Sequence, residues 1–143
     1  NRSRFGVAVA ELVDGTVRVA SAGFTTLDDA TRQLARWAPG VVLAGVTMAS
    51  EVLGGFEVIP VGLRETRVAT PILADLVRRG LIRHDHDTTT LHEVELARTT
   101  PTEGGELLSA RRSEGPVPTV KAVMWAAWAA FDGRFAPVEG EIW

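Results

Sequence analysis

The 143-residue chain contains no cysteine, which excludes a disulfide scaffold and a thiolate metal site but does not fix a compartment. It holds one lysine, Lys121; the other basic residues of its 15 are arginines. Arginine suits bidentate phosphate contacts, although GC-rich coding gives the same bias, and the abundant Ala and Val fit that too. There is no positive excess. The formal net charge of −3 excludes a grip on nucleic acid by bulk electrostatics alone. The acidic surplus falls in residues 71–143, with eleven acids against eight bases, whereas residues 1–70 carry seven of each. No apolar stretch reaches the length of a membrane span, the run around Met124 to Phe131 being too short and amphipathic. No basic, apolar, small-residue opening reads as a signal peptide, so the cytoplasm is the default location. Gly54-Gly55 is not followed by Lys-Ser or Lys-Thr and is no phosphate loop. A G-x-S-x-G nucleophile elbow is also missing.

What remains is an ordinary globular composition, long enough for one domain with its own core. Phe5 to Val13 and Thr16 to Ala22 alternate in the manner of strands, and Asp14-Gly15 between them is a hairpin signal. Asn1-Arg2-Ser3-Arg4 reads as a turn leading out of an earlier element, so a strand is expected upstream. Thr25-Thr26 caps a helix with Asp28 and Asp29 in its first turn and Leu27, Ala30, Leu34 and Trp37 on one face. Asp28 and Arg32 are expected to pair along it, and Pro39-Gly40 stops it.

Gly40-Val-Val-Leu-Ala-Gly45 then reads as a strand buried on both faces, the pattern of a central strand in an α/β sheet. Such strands end where ligands and catalytic groups sit, but Ala44 can do no chemistry. Thr47 to Leu53 reads as a helical turn, and Phe56 to Val61 as a strand that Pro60 places near an edge. Thr70-Pro71 predicts a helix start, Gly80 its end, and Ile72, Leu73, Leu76 and Val77 its buried stripe. Leu81-Ile82 is a short strand entering a polar loop, His84 to Thr89. Leu91, Val94 and Ala97 suggest a short helix; Thr99 to Gly105 reads as a loop and Glu106 to Arg111 as a strand. Thr119 caps the last helix, with Val120, Val123, Met124, Ala127, Trp128 and Phe131 on its buried face. Trp128 is expected in the core, while Trp125, off that stripe, faces another domain. Residues 134–143 read as a tail or linker after a domain spanning 1–133.

Together these elements suggest an α/β, ribonuclease H-like mixed sheet of four or five strands, with an N-terminal hairpin and flanking helices. The run Ile72-Leu-Ala-Asp-Leu-Val-Arg-Arg-Gly-Leu-Ile-Arg-His84 resembles the nuclease domain of phage large terminase subunits. So do Leu91, the stretch Leu107-Leu-Ser-Ala-Arg-Arg-Ser113, and Val120-Lys-Ala-Val-Met-Trp-Ala126. The similarity covers roughly residues 5–131. It implies a bacteriophage protein of viral DNA packaging, working in the host cytoplasm on double-stranded DNA beside a terminase ATPase domain and portal.

The resemblance further implies metal-dependent DNA hydrolysis, with clustered acids holding two Mg²⁺ or Mn²⁺ ions. One family acid would lie before Asn1, a second at Ala44, and a third near Val117-Pro118-Thr119, where no acid stands. No catalytic or metal residue is therefore assigned, and the chain as given is expected to be impaired or inert as an endonuclease. A non-catalytic docking domain for DNA or a portal or partner protein is the alternative; a ribonuclease H-like domain of some other nucleic-acid enzyme is a third.

His84-Asp85-His86-Asp87, with His92 and Glu93, is the densest set of potential ligands. The sequence places no fourth ligand, and a solvated turn has the same composition. Arg83, Arg111 and Arg112 are the candidate phosphate contacts, with Arg78 and Arg79 extending their surface; the alternative is surface charge balanced by nearby acids.

Overall fold

In the computed structural model the described residues are 5–38, 40–45, 56–85, 93–95, 97–102, 105–108, 113 and 118–132. Phe5–Val13 (β1) and Thr16–Phe24 (β2) pair antiparallel from Val13↔Thr16 to Phe5↔Phe24. Asp14 and Gly15 take φ of 50° and 78°, the positive values a primed two-residue turn requires. Ile82–His84 (β5) adds to β2 in parallel, giving the mixed order β1-β2-β5.

Alternation along β2 turns Val17, Val19 and Ser21 to one face, all buried, and Arg18, Ala20 and Ala22 to the other. Helices cover both faces, as the sequence predicts. Leu27–Trp37 (α1) packs Ala30 and Leu34 against Val7 of β1. Pro118–Asp132 (α3) lies across β1 and β2 on the opposite face, where Ala127 meets Val17 and Leu76.

Val42–Gly45 (β3) pairs in parallel with Val58–Val61 (β4). Val42 joins the α1 cluster, while Leu43 packs toward Val61, Met124 and Trp128. The apolar run is thus covered on both faces. Among the described residues its ladder partner is β4, so it pairs outside the β1-β2-β5 ladder and not centrally within one sheet. Pro60 is exposed, as suits a strand edge. Residues 47–53, read as a helical turn, lie outside the described residues.

The Thr70-Pro71 helix start is corrected. The helix α2 runs over Leu63–Arg78, with Pro71 inside it. Glu65 reaches back to accept the Gly62 N–H at 2.6 Å, and Thr66 N–H donates to the Gly62 carbonyl, so nucleation happens two turns earlier. Its buried stripe there is Thr66, Ala69 and Thr70, two of them polar, which hides the period from a hydrophobicity reading. The Thr70 hydroxyl donates to the Thr66 carbonyl at 2.7 Å and accepts the Leu108 N–H at 3.3 Å. The predicted end holds: Gly80 sits at φ 68°, Gly80 N–H donates to Val77 O and Leu81 N–H to Leu76 O, a Schellman closure.

Thr99–Thr102 (β6), read as a loop, pairs antiparallel with Gly105–Leu108 (β7); its three threonines favour the pleat despite Pro101. His84, placed in a polar loop by its neighbours, is the last residue of β5 and lies in register with Val19. Arg32 pairs with Asp29 at 3.4 Å and not with Asp28. Trp125 is held within this domain: its indole N–H donates to Thr66 Oγ1 at 3.1 Å and its ring packs on the α2–α3 core. Trp128 is in the core as expected, 2% exposed. No helix among the described residues is long and apolar enough to cross a membrane.

Helix α1 is capped by Thr26, whose Oγ1 accepts the Asp29 N–H at 3.1 Å, and it ends on Ala38 at φ 49°. A left-handed alanine is strained by its Cβ, by about 1–2 kcal/mol, partly offset by the extra unfolded-state freedom a glycine brings. Ala38→Gly should therefore stabilise the domain by about 0.5–1 kcal/mol, read as a rise in urea midpoint at unchanged slope.

Candidate functional site

Among the described residues, two places bring chemistry-bearing side chains together. The first is where the start of α3 meets β1. Pro118 occupies the first helical position, where a missing N–H is harmless; Thr119 therefore stands inside the helix and is not its cap. The orphan N–H groups of Thr119 and Val120 donate to one oxygen of Glu93, at 2.7 and 3.0 Å. Glu93 lies in a helical turn described over residues 93–95, where Ala97 N–H donates to Glu93 O at 2.9 Å, and its side chain is fully buried. A carboxylate at a helix N-terminus is favoured by both the donors and the dipole. The approach is close because Gly6 of β1 has no Cβ: one built there would lie 2.3 Å from Thr119 N and 2.4 Å from the Pro118 carbonyl carbon.

This corner bears on the metal cage that the resemblance implies. An acid does stand at the opening of the last helix, supplied by Glu93 from a distant segment, but its Oε1 is engaged by two backbone donors in a dry setting. Ala44, at the other expected position, is a buried methyl. Among the described residues no group of three or more His, Asp and Glu could hold a metal ion. These residues do not fit a two-metal cage. Of the His-Asp cluster, His86, Asp87 and His92 lie outside the described residues. Asp85, the residue after β5, accepts the N–H of Ser21 within β2 at 3.3 Å.

The second place is the α1-side face of the β1-β2-β5 sheet. Arg83, a predicted phosphate contact, is exposed there in register with Arg18 of β2. Arg111 and Arg112 lie outside the described residues. Arg78 and Arg79 do not extend this surface freely, because both bind Asp75 one turn back on α2, Arg79 at 3.2 Å. Hydrogen bonds from Arg78 and then Arg79 hold the Asp75 carboxyl below its ordinary 3.8. A depressed carboxyl contributes stability above its unfolded pKa and loses it as pH falls through the folded value. Asp75→Asn should accordingly be less stable than the parent at pH 7, with the gap closing below pH 3.8, checked by urea unfolding at stepped pH.

Sequence reasoning missed Glu93 as a cap and Arg18 as the neighbour of Arg83. A proline-led helix without a local cap was the signal for the first. The second needs the parallel register, which no local pattern reports.

No protein-family model matches the chain, and no curated protein matches it in sequence. Solved structures do resemble it. The large terminase of bacteriophage HK97 superposes with a TM-score of 0.60 at 14% identity, over 90% of this chain and 40% of that one. The large terminase nuclease of thermophilic phage G20c gives 0.52 at 18% identity, covering 89% of this chain and 82% of that one. The nuclease domain of the Thermus phage P74-26 large terminase gives 0.53 at 16%, over 92% and 82%. The fold is therefore that of the large terminase nuclease domains, and the chain spans 40% of the length of the HK97 protein.

Proposed function

We propose that this chain is the nuclease-type domain of a phage large terminase subunit, engaging double-stranded DNA during packaging. Residues 1–133 form the domain and 134–143 a tail or linker toward other packaging subunits, with the host cytoplasm as the setting. The observation that carries the reading is the fold, shared over about nine-tenths of the chain with terminase nucleases. The described acids do not fit a two-metal cage, and the chain's own part is to hold the duplex. Arg83, Arg111 and Arg112 neutralise phosphates, which fixes position without reading sequence. A net charge of −3 gives no long-range attraction, so binding rests on these local contacts.

The test is anisotropy of a labelled 20-bp duplex across a salt series. Three neutralised phosphates give a log–log salt slope of about −2.7, and Arg83→Gln should bring it about one unit closer to zero. Absence of duplex binding at low salt would sink the reading. A non-catalytic docking role, on DNA or a portal or partner protein, is the second reading; the buried methyl of Ala44, one residue before the last of β3, favours it.

A further inference from the structure

The α1-side face of the sheet is covered unevenly. Phe5, Val7, Ala22 and Phe24 lie under α1, but the neighbouring rows are not capped among the described residues. They form a cleft of about 540 Å³ whose floor is Val9 and Ala20, whose far wall is Trp37 at the end of α1, and whose rim carries Glu11, Arg18 and Arg83. The volume lies within the ~300–1,000 Å³ range of small-molecule sites.

The rim charges are the informative part. Arg18 and Arg83 stand side by side on neighbouring parallel strands, in the same register position, and both are exposed. Like charges so placed repel and weaken the sheet unless an anion lies between them. Glu11 is opposite Arg18 across the β1–β2 ladder, yet the ion pairs among the described residues join Asp29 to Arg32 and Asp75 to Arg78 and Arg79. Glu11 therefore offsets part of the charge without closing on either guanidinium. Two guanidinium forks match the oxygens of a phosphate. Beside them, an indole wall and an aliphatic floor suit a flat aromatic ring.

We infer that this cleft binds a nucleotide unit, its phosphate between Arg18 and Arg83 and its base against Trp37 over Val9 and Ala20. The unit could be a free mononucleotide or one residue of a single strand. The inference shares Arg83 with the duplex-holding reading but does not depend on it, since Arg18 and Trp37 play no part there.

The experiment titrates the chain with dAMP by calorimetry and with a labelled single-stranded dodecamer by anisotropy, with deoxyadenosine as the phosphate-free control. The 20-bp duplex is run in parallel. Expected are binding of dAMP, the dodecamer or both, no binding of deoxyadenosine, and a tenfold or greater weakening in Arg18→Gln and in Arg83→Gln. Trp37→Phe, which keeps a ring, should weaken it less. Binding of dAMP alone would assign the site to free nucleotides; binding of the dodecamer alone would assign it to a strand. Failure of both ligands, or affinity unmoved by Arg18→Gln, would overturn the inference. So would a loss of duplex binding in Arg18→Gln equal to the loss of nucleotide binding, which would make the cleft part of a duplex surface. Duplex binding without nucleotide binding refutes this inference alone; nucleotide binding without duplex binding refutes the duplex-holding function alone.

Discussion

Glu93→Ala is expected to lower the melting temperature by about 10 °C. The substitution leaves the Thr119 and Val120 N–H groups without the acceptor they now share at 2.7 and 3.0 Å, in a place the glutamate fills with no exposed surface. Each stranded buried donor costs about 1–3 kcal/mol, so a total near 3 kcal/mol follows, and a domain of this size loses roughly 3 °C for each. Glu93→Gln keeps an acceptor oxygen but gives up the charge that favours the helix N-terminus, and should fall about midway. A loss under about 1 kcal/mol in Glu93→Ala would mean that water reaches these donors and the carboxylate is not what anchors α3.

Gly6→Ala should do comparable damage from the other side of the same contact. The added methyl would sit 2.3 Å from Thr119 N and 2.4 Å from the Pro118 carbonyl carbon, both backbone atoms of a helix that cannot swing aside as a side chain would. Overpacking of this kind costs about 1–3 kcal/mol and more where the neighbour is rigid; about 3 kcal/mol is expected. Gly45→Ala is the control, because among the described residues its Cβ would meet the Trp125 ring at an ordinary 3.8 Å, and thermal unfolding should show little change. The double variant Glu93→Ala/Gly6→Ala should lose less than the sum, since either change alone already loosens the first turn of α3 from β1.

The parts of this fold legible in the sequence were those fixed locally. Asp14-Gly15 dictates its turn, Thr26 caps α1, Gly80 closes α2, and the spacing of Val120 to Trp128 gives the buried face of α3. Elements whose reasons lie elsewhere in the chain were misread. Thr66 and Thr70 look solvent-facing until their partners on α2, α3 and β7 are seen, so the sequence pattern alone places the helix start at Pro71. β6 pairs with β7 only two residues further on, and it is Pro101 that hides its threonine-rich strand character from a sequence reading. The site divides in the same way. Arg83 could be picked out as an arginine in the right segment, whereas its pairing with Arg18 depends on a parallel register set by α2 carrying the chain back across the sheet. In sequence Glu93 reads only as a metal-ligand type beside His92; its distance of 26 residues from Thr119 hides its engagement with the last helix.

In this terminase nuclease fold the acid at the head of the last helix serves that helix, and a methyl stands one residue before the last of β3. Incubation of the chain with supercoiled plasmid in Mn²⁺, beside a chelator control, tests this most directly. The expected result is plasmid that is bound and retarded at low salt but neither nicked nor linearised. Chelator-sensitive cutting by this chain would contradict it and would assign a metal site to residues other than Ala44 and Glu93.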